Sequence, residues 1–229
     1  MESKVINVKE RVLSVNDKNA NLLREFYAKN NKFVINFMSS PGSGKTTLLE
    51  AMSGLSDFRF CVIEGDLETN RDADRLENKG ILARQITTGE ACHLEAKMIL
   101  NILPKLESDT RFKASEFVII ENVGNLVCPA SYDLGANANV VLLSVPEGDD
   151  KVLKYPSMFL CADLVVISKC DLIPHFNFRV ERVLSDMASL RNGVEIMQIS
   201  TKDSKSIENL KNRFLKWRDS KYQTSHIFR

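Results

Sequence analysis

Beyond Lys32 the chain alternates short, continuously apolar runs with amphipathic stretches. Seven runs read as strands: FVINFM (33–38), FRFCVIE (58–64), ARQIT (83–87), FVIIEN (117–122), VVLLSV (140–145), LVVISK (164–169) and EIMQIS (195–200). Helices are expected to begin near Gly44, Asn70, Glu90, Lys151, Asn177 and Ser204. The runs are apolar at successive positions, the pattern of strands covered by helices on both faces. This alternation predicts an α/β fold with a mainly parallel sheet flanked by helices. Ahead of it, residues 4–29 carry a helical period, with Val5, Val8, Val12 and Val15 on one face, then Leu22, Leu23, Phe26 and Tyr27. That spacing predicts two helical pieces broken near Ser14 to Asp17, their apolar stripe packed on the core. No repeat or low-complexity linker divides the chain, so a helical arm over 1–31 is expected to precede one domain over 32–229.

Composition adds exclusions. With 229 residues, 44% hydrophobic and 27% charged, the chain can bury a core without disulfide or metal staples. A net charge of +1 gives no global field for nucleic acid or a membrane surface, and neither partner is expected. No apolar run is long enough to span a bilayer. The five cysteines are irregularly spaced and the N-terminus is charged from its second residue, so the expected compartment is the reducing cytoplasm.

The first strand leads into SSPGSGKTT, residues 39–47. A P-loop reads G-x-x-x-x-G-K-[ST] between a strand and a helix. Gly44, Lys45 and Thr46 fit it, while Ser39 stands at the first glycine position. Ser40 to Thr47, Gly42 and Ser43 included, would cradle phosphates with backbone N–H groups at a helix N-terminus. Lys45 would bridge the β- and γ-phosphates and Thr46 would offer its hydroxyl to Mg²⁺. The 32–229 unit is therefore expected to be a P-loop NTPase. Two strand ends add carboxylates, Glu64 with Asp66 in one and Glu121 in the other. Asp66 and Glu121 would hold Mg²⁺ or its waters, and with Lys45 they are the candidate catalytic residues. Glu121-Asn122-Val123-Gly124 resembles the D-x-x-G switch of GTPases, with Asn122 and Gly124 toward the γ-phosphate. Polar strand-end turns are the plainer alternative.

Ser168-Lys169-Cys170-Asp171 matches N-K-x-D apart from its first residue. Asp171 would accept hydrogen bonds from guanine N1–H and its exocyclic amine, a donor pair that adenine lacks. Lys169 would cover the base, and Thr201 lies in a segment like the S-A-K loop. GTP is therefore favoured over ATP. Ser168 lacks the amide of the usual asparagine, which weakens the match. Cys92, His93 and Cys128 form a soft donor set suited to Ni²⁺ or Zn²⁺, with Cys92-His93 expected in the first turn of a helix. From spacing alone, two core cysteines and a surface histidine is the plainer reading. Cys61, Cys161 and Cys170 lie in or beside apolar runs and read as core.

Taken together, NFMSSPGSGKTTLLE, VIEGDLETNRDADRL, ITTGEACHLEA, IIENVGNLVCPA, LLSVPEGDDKVLKYP and LVVISKCDL resemble the HypB family of nickel-insertion GTPases, related to UreG. The resemblance runs from about residue 33 to 172. It implies GTP hydrolysed to GDP, a nucleotide-governed homodimer, and nickel held by Cys92, His93 and Cys128, a set that Zn²⁺ also suits. It implies a HypA-type nickel/zinc protein and the hydrogenase large subunit as partners, with urease accessory proteins where urease is made. Lys151 and Lys154 become candidates to reach nucleotide across the dimer, or are simply solvated charges. Some members carry an N-terminal C-x-x-C-G-C site or a histidine-rich tract, and this chain has no cysteine before Cys61 and three histidines in all, which argues against storage. Three alternatives stay open: a UreG-like urease GTPase, a P-loop kinase or ATPase, and a non-catalytic nickel carrier with nucleotide as a structural ligand.

Overall fold

The computed structural model describes residues 2–67 and 71–227, with side chains from 11 to 221 apart from 68–70. All seven expected strands form: β1 (Phe33–Ser39), β2 (Phe60–Asp66), β3 (Ala83–Thr87), β4 (Phe117–Glu121), β5 (Ala138–Ser144), β6 (Leu164–Ser168) and β7 (Glu195–Gln198). They make one sheet in the order β3-β2-β4-β1-β5-β6-β7, every pair parallel. β1 therefore lies at the centre, and the loop that follows it opens at the carboxyl edge, where open α/β sheets bind ligands.

Side chains of successive strand residues point to opposite faces. Phe33, Ile35 and Phe37 of β1 join the core beneath α2 (Lys45–Ser53), α3 (Arg71–Glu77) and α9 (Ser204–Ile227). Val34 and Met38 face the other way. Val34 meets α1 (Glu2–Lys29), α4 (Ala96–Glu107) and α5 (Thr110–Ala114). Met38 meets α6 (Lys151–Lys154), α7 (Pro156–Leu160) and α8 (Val180–Leu190). Between them, buried Asn36 donates to Asn139 Oδ1 at 3.0 Å, so a polar pair sits where the two apolar clusters of this face adjoin.

Three expectations need correction. The N-terminal segment is one helix, not two pieces. Ser14 to Asp17 contains neither glycine nor proline, and Asn16 spends its amide on tertiary partners instead of its own backbone. Its stripe is misassigned in part: Val12, Val15 and Leu22 are 43%, 52% and 52% exposed, while Leu23, Phe26 and Tyr27 pack on the core as expected, joined by Ala20. The side chains of Val5 and Val8 lie outside the described residues. Finally, the helix expected near Glu90 starts at Ala96, because Gly89 turns the chain with φ +61 and residues 91–95 stay irregular. Cys92 and His93 thus sit in a loop rather than a first helical turn. Asn70 lies outside the described residues, and α3 is described from Arg71.

Candidate functional site

The 39–45 loop curls between β1 and α2. Gly42 and Gly44 take φ of 72° and 95°, which the absence of a Cβ permits, and Gly44 is the N-cap of α2. Lys45 folds back over the loop and donates to Ser39 Oγ at 3.0 Å, so the serine at the first glycine position serves as its acceptor. Ser43 Oγ lies 2.6 Å from Glu147 Oε1, and the same oxygen accepts from Ser144 Oγ at 2.6 Å. Glu147 thereby ties the end of β5 to the phosphate loop. A cavity of about 270 Å³ opens over the loop, bounded by Gly42 to Thr47, Glu121, Lys169 and Thr201.

Thr46 Oγ1 donates to Glu121 Oε1 at 2.8 Å beneath that cavity. Parallel pairing of β2 with β4 sets Glu64 opposite Glu121. Both carboxylates are buried, and the Oε2 of each finds no hydrogen-bond partner among the described residues. Burial, then the neighbouring charge of Glu121, pushes the Glu64 carboxyl up to about 8. Burial also raises Glu121, against the opposing charge of Lys45. Orphaned oxygens beside Thr46 suit a hydrated divalent cation, which would satisfy them and remove the penalty of holding the charges dry. Asp66 ends β2 at the same edge, where its Oδ1 accepts from the Leu67 N–H at 2.7 Å.

The base-side loop is latched to the phosphate loop. Ser168 Oγ donates to the Ser43 carbonyl at 2.8 Å, and Lys169 Nζ donates to the Gly42 carbonyl at 2.7 Å. The serine that departs from N-K-x-D thus ties the two loops with a hydroxyl. Asp171 Oδ1 accepts from Ser200 Oγ at 2.8 Å and its Oδ2 pairs with Lys202 Nζ at 2.7 Å. Those two hydrogen bonds, the lysine's first, hold its carboxyl below the usual range.

Some expected site residues are placed otherwise. Asn122 turns its amide away from the phosphate cavity: Oδ1 accepts from the N–H groups of Leu94 (3.2 Å) and Val123 (3.0 Å), and Nδ2 donates to Asn36 at 3.3 Å. Lys151 and Lys154 pair with Asp150 at 3.4 and 2.5 Å, outside the cavity lining. Gly124 lies tight against the phosphate loop. A Cβ there would meet the Cα and N of Pro41 at 2.8 Å. Glu147 and Ser200 go unmarked by the sequence patterns, because their roles come from strands brought together by the sheet.

Cys92, His93 and Cys128 converge. Cys92 Sγ lies 2.8 Å from Cys128 Sγ and 3.8 Å from His93 Nδ1, and the three donor atoms fall within 4.8 Å of one another. Cys128 stands in a 3₁₀ turn, Cys128–Ser131, that follows β4. The His93 ring stacks on Tyr132 with centroids 3.8 Å apart. Its buried Nε2 makes no hydrogen bond among the described residues and lies 3.7 Å from Glu95 Oε1. Burial lowers the imidazole pKa, favouring the neutral, ligating form. The hydrogen bond with Cys92, then burial and the neighbouring Cys92 charge, raise the Cys128 pKa; a cation between the two sulfurs would reverse that balance. Two thiolates and an imidazole fit Ni²⁺ or Zn²⁺ and leave a position open. Cys61 is buried and Cys161 and Cys170 are half-buried against the core, as expected. No helix among the described residues is long and apolar enough to cross a membrane.

The CobW/HypB/UreG nucleotide-binding domain matches residues 33–198. The chain is 57% identical over 228 residues to the hydrogenase/urease maturation factor HypB of Helicobacter pylori, covering 100% of this chain and 94% of that one. It is 42% identical over 218 residues to the hydrogenase maturation factor HypB of Escherichia coli, covering 94% of this chain and 72% of the relative. The crystal structure of HypB from Helicobacter pylori in complex with nickel superposes with a TM-score of 0.89 at 58% identity, covering 90% of this chain and 96% of that one. HypB from Archaeoglobus fulgidus superposes at 0.78 with 35% identity, covering 88% and 100%.

Proposed function

Since the chain belongs to the CobW/HypB/UreG nucleotide-binding family, we propose that it hydrolyses GTP and uses that cycle to hold and release nickel during maturation of nickel–iron hydrogenase. One observation carries the reading: the single segment 121–128 runs from the phosphate cavity to the thiols. Glu121 accepts from Thr46, Gly124 abuts Pro41 of the phosphate loop, and Cys128 faces Cys92. Within it, Asn122 also accepts from the Leu94 N–H, next to His93. A shift of this segment on phosphate loss would therefore move both halves of the metal ligand set.

In this reading the loop N–H groups from Ser40 to Thr47 bind the phosphates. Lys45 releases Ser39 to neutralise the β- and γ-phosphate oxygens. Thr46, Asp66 and Glu121 are the side chains that would hold Mg²⁺, which supplies further charge neutralisation on those oxygens. Asp171 selects guanine, with Lys169 over the base and Thr201 at its rim. Catalysis is positioning and charge stabilisation, with little covalent work for the protein. Nickel is cargo, taken by Cys92, His93 and Cys128; Zn²⁺ competes for the same donors. The expected partners are a second copy of the chain, a HypA-type nickel/zinc protein and the hydrogenase large subunit. Identity of 57% to a relative named for both hydrogenase and urease favours, as a second reading, delivery to urease accessory proteins as well.

Native mass spectrometry with GDP and with a non-hydrolysable GTP analogue tests this. The expected result is a GTP-dependent dimer whose nickel stoichiometry changes with nucleotide and is lost in Cys92→Ala. Equal mass and nickel content in both nucleotide states would overturn the coupling. Reciprocity adds a second check: nickel must alter affinity for the analogue by the factor with which the analogue alters nickel affinity.

A further inference from the structure

We infer that Asn16 of the N-terminal helix is a positioning residue for the metal site, setting the spacing of the two loops that carry Cys92–His93 and Cys128. The inference rests on the proposed nickel role of those three residues. Asn16 is 4% exposed, on the helix face that also buries Ala20 and Leu23. Its Oδ1 accepts from the Ala96 N–H at 2.9 Å, and its Nδ2 donates to the Asp133 carbonyl at 2.8 Å.

Both partners lie next to ligands. Ala96 is the first residue of α4 and follows His93 by three positions. The first N–H groups of a helix have no partner within it, and the Glu95 side chain makes no cap bond here. Asn16 thus acts as a cap delivered from another helix. Asp133 follows Tyr132, whose ring stacks on His93, and lies five residues beyond Cys128. One amide therefore holds both ligand loops at once.

Neighbouring contacts press the second loop flat on α1. Arg24 pairs with the Asp133 carboxylate. Gly135 takes a φ of +70, and a Cβ there would strike the Ala20 carbonyl at 2.7 Å and Leu23 Cβ at 2.9 Å. These contacts fix the Cys128 loop alone. Asn16 also reaches the Cys92–His93 side, and with the Asn122 amide on the Leu94 N–H and the His93–Tyr132 stack it sets the distance between the donors. A soft-donor metal site is sensitive to such outer partners, whose loss costs about tenfold or more in affinity.

The test is nickel titration of the whole chain by chelator competition, with the sulfur-to-nickel charge-transfer absorption recorded. Thermal midpoint and GDP affinity are measured alongside. Asn16→Ala should bind nickel at least about tenfold more weakly, with a changed charge-transfer spectrum. Asn16→Asp keeps the acceptor for Ala96 but turns a carboxylate oxygen toward the Asp133 carbonyl, so it should weaken nickel binding too, and it carries the test should the alanine variant fail to fold. Arg24→Ala removes an α1 contact on one loop only and should leave nickel affinity within about twofold while lowering the thermal midpoint. Wild-type affinity and spectrum in both Asn16 variants would overturn the inference. So would a loss of nickel in Arg24→Ala that tracks its loss of thermal stability. A wild-type chain that bound no nickel would instead bring down the proposed function, and this inference with it.

Discussion

Gly124→Ala puts the coupling segment to a direct test. Gly124 is absent from the positive-φ glycines, so alanine meets no backbone strain there and the effect is steric. The added Cβ would sit 2.8 Å from two backbone atoms of Pro41, about 0.7 Å inside ordinary carbon contact. Those atoms are main chain, so no rotamer change relieves the clash; either the phosphate loop or the 122–126 segment must move. Overpacking of this size costs roughly 1–3 kcal/mol. The free loop can give way, but a loop wrapped around phosphates cannot. Most of the cost should therefore appear as lost nucleotide affinity, about fivefold to a hundredfold. Titration calorimetry with GDP and with a GTP analogue measures it, while thermal unfolding without nucleotide separates any cost to the fold. Nickel affinity in the absence of nucleotide should stay close to wild type, and its nucleotide dependence should shrink. Wild-type nucleotide affinity at an unchanged thermal midpoint would refute the reasoning, because the segment would then not bear on the loop.

The latch between base loop and phosphate loop gives a second expectation. Ser168→Ala strips the buried Ser43 carbonyl of its donor, at roughly 1–3 kcal/mol, and GDP affinity and thermal midpoint should both fall; an unchanged GDP isotherm would argue against the latch. Asp171→Asn keeps one acceptor and gains a donor, so GTP should weaken at least about thirtyfold while xanthosine triphosphate gains relative to it. Equal GTP binding in that variant would remove guanine selection from Asp171. Acid stability should report Asp109, whose carboxyl is held at about 2 by hydrogen bonds from Arg111, against an ordinary 3.8. A depressed folded-state value adds stability above the unfolded value and loses it as pH falls, so the loss should run from about pH 4 to about pH 2. Denaturant melts across that window should show a shallower decline for Asp109→Asn, and an identical slope would contradict this.

The strands and the phosphate loop were legible in the chain because each depends on local pattern. A run such as FVIIE buried on both faces has no other comfortable fate, and glycines at 42 and 44 ahead of lysine fit one kind of turn. What depends on register was not legible. Glu64 and Glu121 stand opposite each other only because β2 pairs with β4, and no spacing along the chain announces it. Asn122 reads as a phosphate sensor from its place after Glu121, yet buried Asn36 draws its amide the other way. Lys151 and Lys154 each pair with Asp150 within the chain, and whether either reaches nucleotide across a dimer depends on a second copy that no spacing along one chain places. Periodicity also misjudged α1. Its valines fit a helical stripe, yet Val12 and Val15 are exposed and Asn16 and Ala20 join the expected Leu23 and Tyr27 at the core, because a polar residue with partners for both ends of its amide can be buried.

The place of β1 at the centre of the sheet has a consequence for biosynthesis. β1 is the first strand to be made, yet both neighbours come from far downstream, β4 at Phe117–Glu121 and β5 at Ala138–Ser144. A growing chain that has passed residue 39 carries an apolar strand with two bare edges until β4 is made through residue 121, and with one bare edge until β5 is made through residue 144. Such edges invite pairing with other chains. Nucleotide cannot protect the early intermediates, because the phosphate loop gains its floor only when β4 supplies Glu121 and its anchor only when Ser144 and Glu147 arrive. Fragments ending before residue 138 should accordingly aggregate with or without GTP, and ligand rescue should begin only in fragments that reach beyond residue 147.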